Sequence, residues 1–297
     1  MIIDRDVPSA PMNRAVTRGL QVVDIYKRFR TRTVLNGLSM EVGEGELVGL
    51  LGPDGAGKTT CFQAILGLIK PDSGRILLDG TEITFLPTYR RAMLGLGYLP
   101  QEPCVFRGLT VEANIEALLE ISEPEPDERG RRLEQLLHDF HLDHLRNRSA
   151  NFLSGGERRR CEIVRALATN PSIILLDEPF AGIDPLTITE VADLIRTMKA
   201  TGVGVLITDQ NVYEMLRLIE RAYVLIDGHV VFEGQASELL EDETVKRLYL
   251  GGETRRHDFG SHASPASSTT GQSPRDGTHP FALCSKPGVR PSRPGTE

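Results

Sequence analysis

The sequence predicts an α/β fold: a largely parallel sheet with helices on both faces, preceded by an antiparallel β subdomain and interrupted by an α-helical subdomain. Three observations predict it. Short apolar segments at 46–51, 173–176 and 203–207 alternate with amphipathic helical stretches, the rhythm of a sheet covered on both faces. Segments 21–25 and 34–42 alternate in polarity and end in Gly-rich turns, as antiparallel strands do. Between about 102 and 168 helical patterning dominates, which places the helical subdomain there.

Taken in order, the apolar strand at 46–51 leads through a Gly-rich turn into a helix over 58–69, which Pro71 and Gly74 stop. Helices follow at 110–121 and 127–140, separated by Pro124 and Pro126; the second puts Leu133, Leu136, Leu137 and Phe140 on one face. A helix over 156–168, a strand at 173–176 and a helix over 185–200 come next. In the last, Ile188, Val191, Ile195 and Met198 share one face. The strand at 203–207, another helix and a hairpin turning at Asp227-Gly228 complete the pattern.

Residues 1–16 read as a flexible leader, 17–253 as one densely patterned domain and 254–297 as a disordered tail rich in Ser, Pro, Gly, Thr and His. No internal repeat is visible, so one such domain is expected. At 297 residues and 40% hydrophobic, the chain can bury a large core. Its net charge of −7 argues against nucleic acid as a partner, since no basic excess replaces counterions. Cys61, Cys104, Cys161 and Cys284 lack metal or disulfide spacing and read as reduced thiols. No apolar stretch approaches the ~20 residues needed to span a bilayer, so any membrane role must come through partners.

The strongest chemical signal is the run Gly52, Pro53, Asp54, Gly55, Ala56, Gly57, Lys58, Thr59, followed by Thr60. It satisfies GxxxxGK[ST] between a strand and a helix. Glycines let consecutive N–H groups converge on phosphate oxygens, and the helix N-terminus adds favourable partial charge. Lys58 then reaches the β- and γ-phosphates of ATP, and the Thr59 hydroxyl binds Mg²⁺. Asp54 is expected to point away, because an acid facing phosphates is repelled. The second signal is Asp177-Glu178, two carboxylates at the C-terminal end of an apolar strand, where open α/β sheets bind ligands. Asp177 suits Mg²⁺ through water, and Glu178 suits polarising the attacking water. The third is Leu153-Ser154-Gly155-Gly156-Glu157, a Ser-Gly-Gly turn opening a helix, which is a second phosphate-receptive N-terminus.

Together these three segments resemble the ABC ATPase family, whose signature is LSGGE just upstream of a Walker B strand; the resemblance covers about 17–253. It implies a P-loop NTPase (RecA-like) core carrying the antiparallel and helical subdomains. It implies ATP and Mg²⁺ as cofactors, and a homodimer in which Ser154–Glu157 of one copy close on the nucleotide of the other. By the same resemblance Tyr26 stacks on adenine, Gln101 touches Mg²⁺ and senses a membrane partner, and Asp184 lies in a loop crossing the dimer interface. The position after strand 203–207 departs from the family: a histidine is usual there, and this chain has Gln210, which donates a hydrogen bond but carries no charge. Slow turnover is the expected consequence.

Segments 98–107, 154–160, 177–185, 204–209 and 245–251 are most similar to ATP-binding subunits of lipopolysaccharide export systems. That resemblance implies a cytoplasmic protein, peripheral on the inner membrane, whose groove beside Gln101, Phe106 and Arg107 receives two integral membrane subunits. ATPases of branched-chain amino acid importers share much of this core, and Gln210 keeps a weakly hydrolysing nucleotide-gated clamp as a further alternative. Arg158–Arg160 reads as a solvated helix face.

Overall fold

The computed structural model describes residues 18–248; the leader and tail expectations at 1–16 and 254–297 lie outside the described residues. The chain opens with β1 (Gly19–Phe29) and β2 (Arg32–Gly43), then β3 (Leu47–Leu51) and α1 (Lys58–Leu66). It continues through β4 (Ser73–Leu78), β5 (Thr81–Glu82), α2 (Thr88–Met93) and β6 (Leu96–Leu99). Three helices follow: α3 (Val111–Ser122), α4 (Pro126–Asp139) and α5 (Gly155–Ala168). Then come β7 (Ile173–Asp177), α6 (Pro185–Ala200), β8 (Gly204–Thr208), α7 (Val212–Leu218), β9 (Arg221–Ile226), β10 (His229–Gln235), α8 (Ala236–Leu239) and α9 (Glu243–Leu248).

Two sheets result. One is antiparallel, in the order β2-β1-β4-β5. The other runs β10-β9-β3-β8-β7-β6, parallel except for the β9–β10 hairpin. β3, β7 and β8 are buried at every residue, which is why they read as unbroken apolar runs. Their alternate residues serve two cores. Val48, Leu50, Ile173, Leu175 and Leu206 join α1 and the antiparallel strands; Leu47, Leu51, Ile174, Leu176, Val205 and Ile207 join α3 to α7. The helices α3, α4 and α5 share that second core with the sheet.

Three local features differ from the sequence expectation. α1 ends at Leu66 because Gly67 takes a left-handed conformation (φ 77°) and caps it, ahead of Pro71. The parallel edge strand β6, only four residues long, and the short α2 escaped the pattern, being too brief for a periodicity to show. α2 carries Arg91, which is buried and is paired with no carboxylate among the described residues. Its guanidinium instead caps the C-terminus of α1 through the carbonyls of Ala64 (2.8 Å) and Ile65 (2.5 Å), and also holds Thr84 O (2.8 Å) and Leu86 O (2.9 Å). Burial lowers its pKa to about 10. Arg91→Met strands several buried carbonyls at once, so it is expected to destabilise the fold by about 3 kcal/mol. A urea or thermal melt of the variant checks this; an unchanged midpoint refutes it.

The sheet order sets up the site. β3, β8, β7 and β6 are neighbours, and at their C-terminal ends the chain delivers the Gly-rich loop, Gln210, Asp177-Glu178 and Gln101 in turn.

Candidate nucleotide site

A cleft of about 290 Å³ opens at these strand ends, lined by Phe29, Arg32, Val34, Asp54, Gly55, Gly57, Lys58, Thr59, Thr60 and Glu178. The loop needs its glycines for stated reasons. Gly57, at the N-cap of α1, has φ 115°, and a Cβ there would lie 2.8 Å from Val34 O. A Cβ on Gly52 (φ 148°) would lie 2.2 Å from Leu225 O. Lys58 curls back over the loop, donating from Nζ to Gly52 O (2.5 Å) and Pro53 O (3.1 Å). Burial lowers its pKa, and Asp54, Glu178 and Asp177 oppose that fall in decreasing order. Asp54 is exposed and is among the residues that line the cleft.

The carboxylates sit beside this loop. Glu178 takes a left-handed backbone (φ 45°), rare for a residue with a side chain, as the chain leaves β7. Its N–H donates to Thr208 O (2.8 Å). Two amides hold its carboxylate, one on each oxygen: Gln101 Nε2 on Oε2 at 2.7 Å and Gln210 Nε2 on Oε1 at 3.4 Å. Asp177 accepts from the Tyr98 hydroxyl (3.2 Å). Asp209 is buried and binds the loops after β7 and β8 together, accepting from Phe180 N (2.8 Å) and Asn211 N (2.9 Å). Burial raises the pKa of Asp177, Glu178 and Asp209 alike; repulsion from Asp209 adds to the rise at Asp177 and Glu178, and Asp177 adds further at Glu178. The same burial, reinforced by Asp177, lifts the Tyr98 phenol to about 12.

Among the described residues no cluster of three or more His, Cys, Asp or Glu side chains is placed to hold a metal. The donor set present is one desolvated carboxylate, Asp177, and the exposed Thr59 hydroxyl in the cleft. That set fits Mg²⁺, which takes few protein ligands and completes its shell with phosphate and water.

Several expected positions lie elsewhere. Tyr26 does not line the cleft; it packs against Gly37 of β2, where a Cβ would lie 2.9 Å from its hydroxyl. Phe29, three residues on, lines the cleft instead. The reason is local: β1 breaks register against β2 between Val22 and Ile25, Ile25 and Lys27, and Lys27 and Arg28, so alternation does not say which aromatic faces inward. Arg32, which donates to Gly55 O (3.2 Å), was also missed; a lone arginine in a hairpin gives no signal of its own.

The Ser154 turn stands outside this cleft. Ser154 caps α5 in a reciprocal box with Glu157, whose amide donates to Ser154 Oγ (3.2 Å) and whose carboxylate accepts from Ser154 N (2.7 Å). Glu157 also pairs with Arg148 (3.2 Å). Gly156 is required by packing, since a Cβ would lie 2.7 Å from Thr187 Cγ2; Gly155 is not, having nothing within 4 Å of that position. Asp184 accepts from the Thr187 amide (3.1 Å) and hydroxyl (2.5 Å), capping α6 beside the Ser154 turn.

A second groove, about 330 Å³, is lined by residues that include Leu66, Leu68, Thr88, Arg91, Tyr98, Cys104, Leu118 and Arg165. Gln101, Phe106 and Arg107 are not among its lining residues. Phe106 is 48% exposed, and its ring sits 4.4 Å from the Arg165 guanidinium, which does line the groove. Leu68, which lines the groove, is also exposed, as are Tyr89, Met93 and Leu94, chain neighbours of its lining residues Thr88 and Ala92. Arg159 is buried, against the expectation of a solvated arginine face; Arg158 and Arg160 are half-buried.

Comparison with known proteins accords with this geometry. Residues 35–181 match the ABC transporter family. Over 232 residues the chain is 53% identical to the lipopolysaccharide export system ATP-binding protein LptB of Acidithiobacillus ferridurans, covering 78% of this chain and 96% of that one. Among solved structures it resembles an ATP-binding cassette of an ABC transporter in its ADP conformation (TM-score 0.70, 30% identity, 78% of this chain and 98% of that one). It also resembles a dimeric cassette in a post-hydrolysis state bound to ADP and Pi (TM-score 0.64, 28% identity, 73% and 98%).

Proposed function

The chain belongs to the family of ABC transporter ATP-binding proteins, and from that premise we propose that it is the ATP-hydrolysing subunit of a lipopolysaccharide exporter. The observation that carries the ATPase chemistry is one cleft holding Lys58, Thr59 and Glu178, with the Glu178 carboxylate fixed by Gln101. ATP lies with its phosphates on the loop from Gly52 to Thr60 and its base against Phe29, whose exposed ring offers the stacking face expected of Tyr26. Lys58 exchanges the carbonyls of Gly52 and Pro53 for phosphate oxygens. Thr59 and Asp177 are the residues that would hold Mg²⁺, with Gln101 a further candidate, and the ion would supply neutralisation of phosphate charge. Glu178 polarises the attacking water, and Gln210 donates from the opposite side of its carboxylate.

Ser154 and Gly155 serve the nucleotide of a second copy. Gly155 supports this, because the fold leaves the space at its Cα open and something from outside is free to approach the backbone there. A solved neighbour is a dimer in a post-hydrolysis state bound to ADP and Pi, which supports a dimer as the working form. Among the described residues no helix is long and apolar enough to cross a membrane. Membership of the ABC transporter family supports two integral subunits that receive the stroke on the cytoplasmic face of the membrane. The groove beside Arg165, rimmed by Phe106 and with Arg107 following it, is the surface offered to them. Lipopolysaccharide as cargo rests on the relative of 53% identity over nearly its whole length. Affinity capture from detergent-solubilised membranes tests it. Co-purified lipopolysaccharide-export subunits support the exporter, and co-purified subunits of a periplasmic-binding-protein importer overturn it.

A further inference from the structure

The helix that begins with the Ser154 turn also reaches the hydrolytic pair from behind. Arg159, on α5, is 6% exposed, and its guanidinium makes two backbone contacts that flank that pair. Nη1 donates to Pro100 O at 2.9 Å, the carbonyl immediately before Gln101. Nε donates to Pro179 O at 3.3 Å, the carbonyl immediately after Glu178. The side chains of Gln101 and Glu178 from the same two segments meet at 2.7 Å. One rigid fork thus spans the two loops whose side chains form the catalytic contact.

The fork is itself fixed. Glu162, one turn further along α5, accepts from Arg159 Nη1 (3.2 Å) and from Cys104 N (2.9 Å), so the helix grips the segment after Gln101 at a second point. Arg165, a turn beyond, donates to Cys104 O and lies over Phe106. Residues 159, 162 and 165 recur at helical spacing and all face the 100–106 segment. Nη2 of Arg159 is buried and has no hydrogen-bond partner among the described residues, a state that packing alone does not favour.

We propose that Arg159 is a positioning residue for hydrolysis: it sets the separation of the Gln101 and Glu178 loops and makes that separation follow the helix carrying Ser154. Lysine cannot replace it, because a single ammonium lacks the planar fork that reaches two carbonyls in fixed geometry. The inference rests on the ATPase reading above, and the test separates the two.

In the full-length protein, Arg159→Lys is expected to lower kcat for ATP about 10-fold or more, with KM for ATP within about 2-fold of wild type. The double variant Arg159→Lys/Gln101→Ala is expected to be no slower than Gln101→Ala alone, since both remove one function. Wild-type kcat, a parallel rise in KM, or losses that multiply in the double variant each overturn the proposal. Arg159→Gln, which keeps only one donor arm, is measured alongside. If both Arg159 variants fail to fold, the residue is a structural element of the core and the proposal is overturned. A wild-type protein without ATPase activity would instead refute the ATPase reading itself.

Discussion

Glu178→Gln is expected to reduce ATP turnover about 10³-fold while leaving ATP binding intact and prolonging the ATP-bound dimer. The amide has nearly the carboxylate's shape and keeps an oxygen able to accept from Gln101, but it takes up no proton. Steady-state phosphate release and size-exclusion chromatography with Mg-ATP check both halves; residual turnover within 10-fold of wild type would remove Glu178 from the role of base. The same variant makes a prediction for the nucleotide-free protein. Burial holds the pKa values of Asp177, Glu178 and Asp209 above their ordinary values, and repulsion adds to the rise at Asp177 and Glu178. The folded state thus binds these protons more tightly than the unfolded one. Their contribution favours folding as pH falls through the window between the unfolded and folded values, and it opposes folding once pH rises above the folded values. At neutral pH, therefore, Glu178→Gln removes one of three crowded charges and should melt higher than wild type in the absence of nucleotide. A lower melting temperature contradicts this.

Gln210→His is expected to raise turnover by about 10-fold. The Gln210 amide sits 3.4 Å from Glu178 Oε1, at the long end of hydrogen-bonding range, while Gln101 holds the other oxygen at 2.7 Å. The amide is neutral and fixed in proton content. An imidazole at the same position accepts or releases a proton near neutral pH and carries charge when it does. The rate gain should accordingly grow as pH falls from 8 to 6.5, a dependence the wild type lacks at this position. ATPase rates of the two proteins across that range decide it; equal rates throughout would mean that Glu178 and the Ser154 turn suffice.

Much of this site was legible because its signals are local. GxxxxGK[ST] fixes a loop geometry within eight residues, and the structure gives its glycines the backbone angles the motif needs. Ser154 and Glu157, three apart, form the capping box that such spacing favours. Asp177 ends a strand whose apolar residues announced burial on both faces. The departures have equally specific causes. That the Glu157 carboxylate also binds Arg148 is not written in its motif, because Arg148 lies outside it, nine residues upstream. Tyr26 and Phe29 stand three apart on a strand with repeated register shifts, so no period assigns their faces.

The order of residues along the chain, with the spacing rules of helices and strands, determined the family of this protein, its P-loop, its paired carboxylates and its Ser-Gly-Gly turn, since each is written within one turn or one strand. Tertiary structure alone decided which aromatic faces the cleft and that Gln101 and Gln210 share one carboxylate. It also decided that the middle of three consecutive arginines is buried behind both. The two glutamine contacts join residues 77 and 32 positions apart through the neighbouring ends of parallel strands, and burial there is the largest influence on the Glu178 carboxylate.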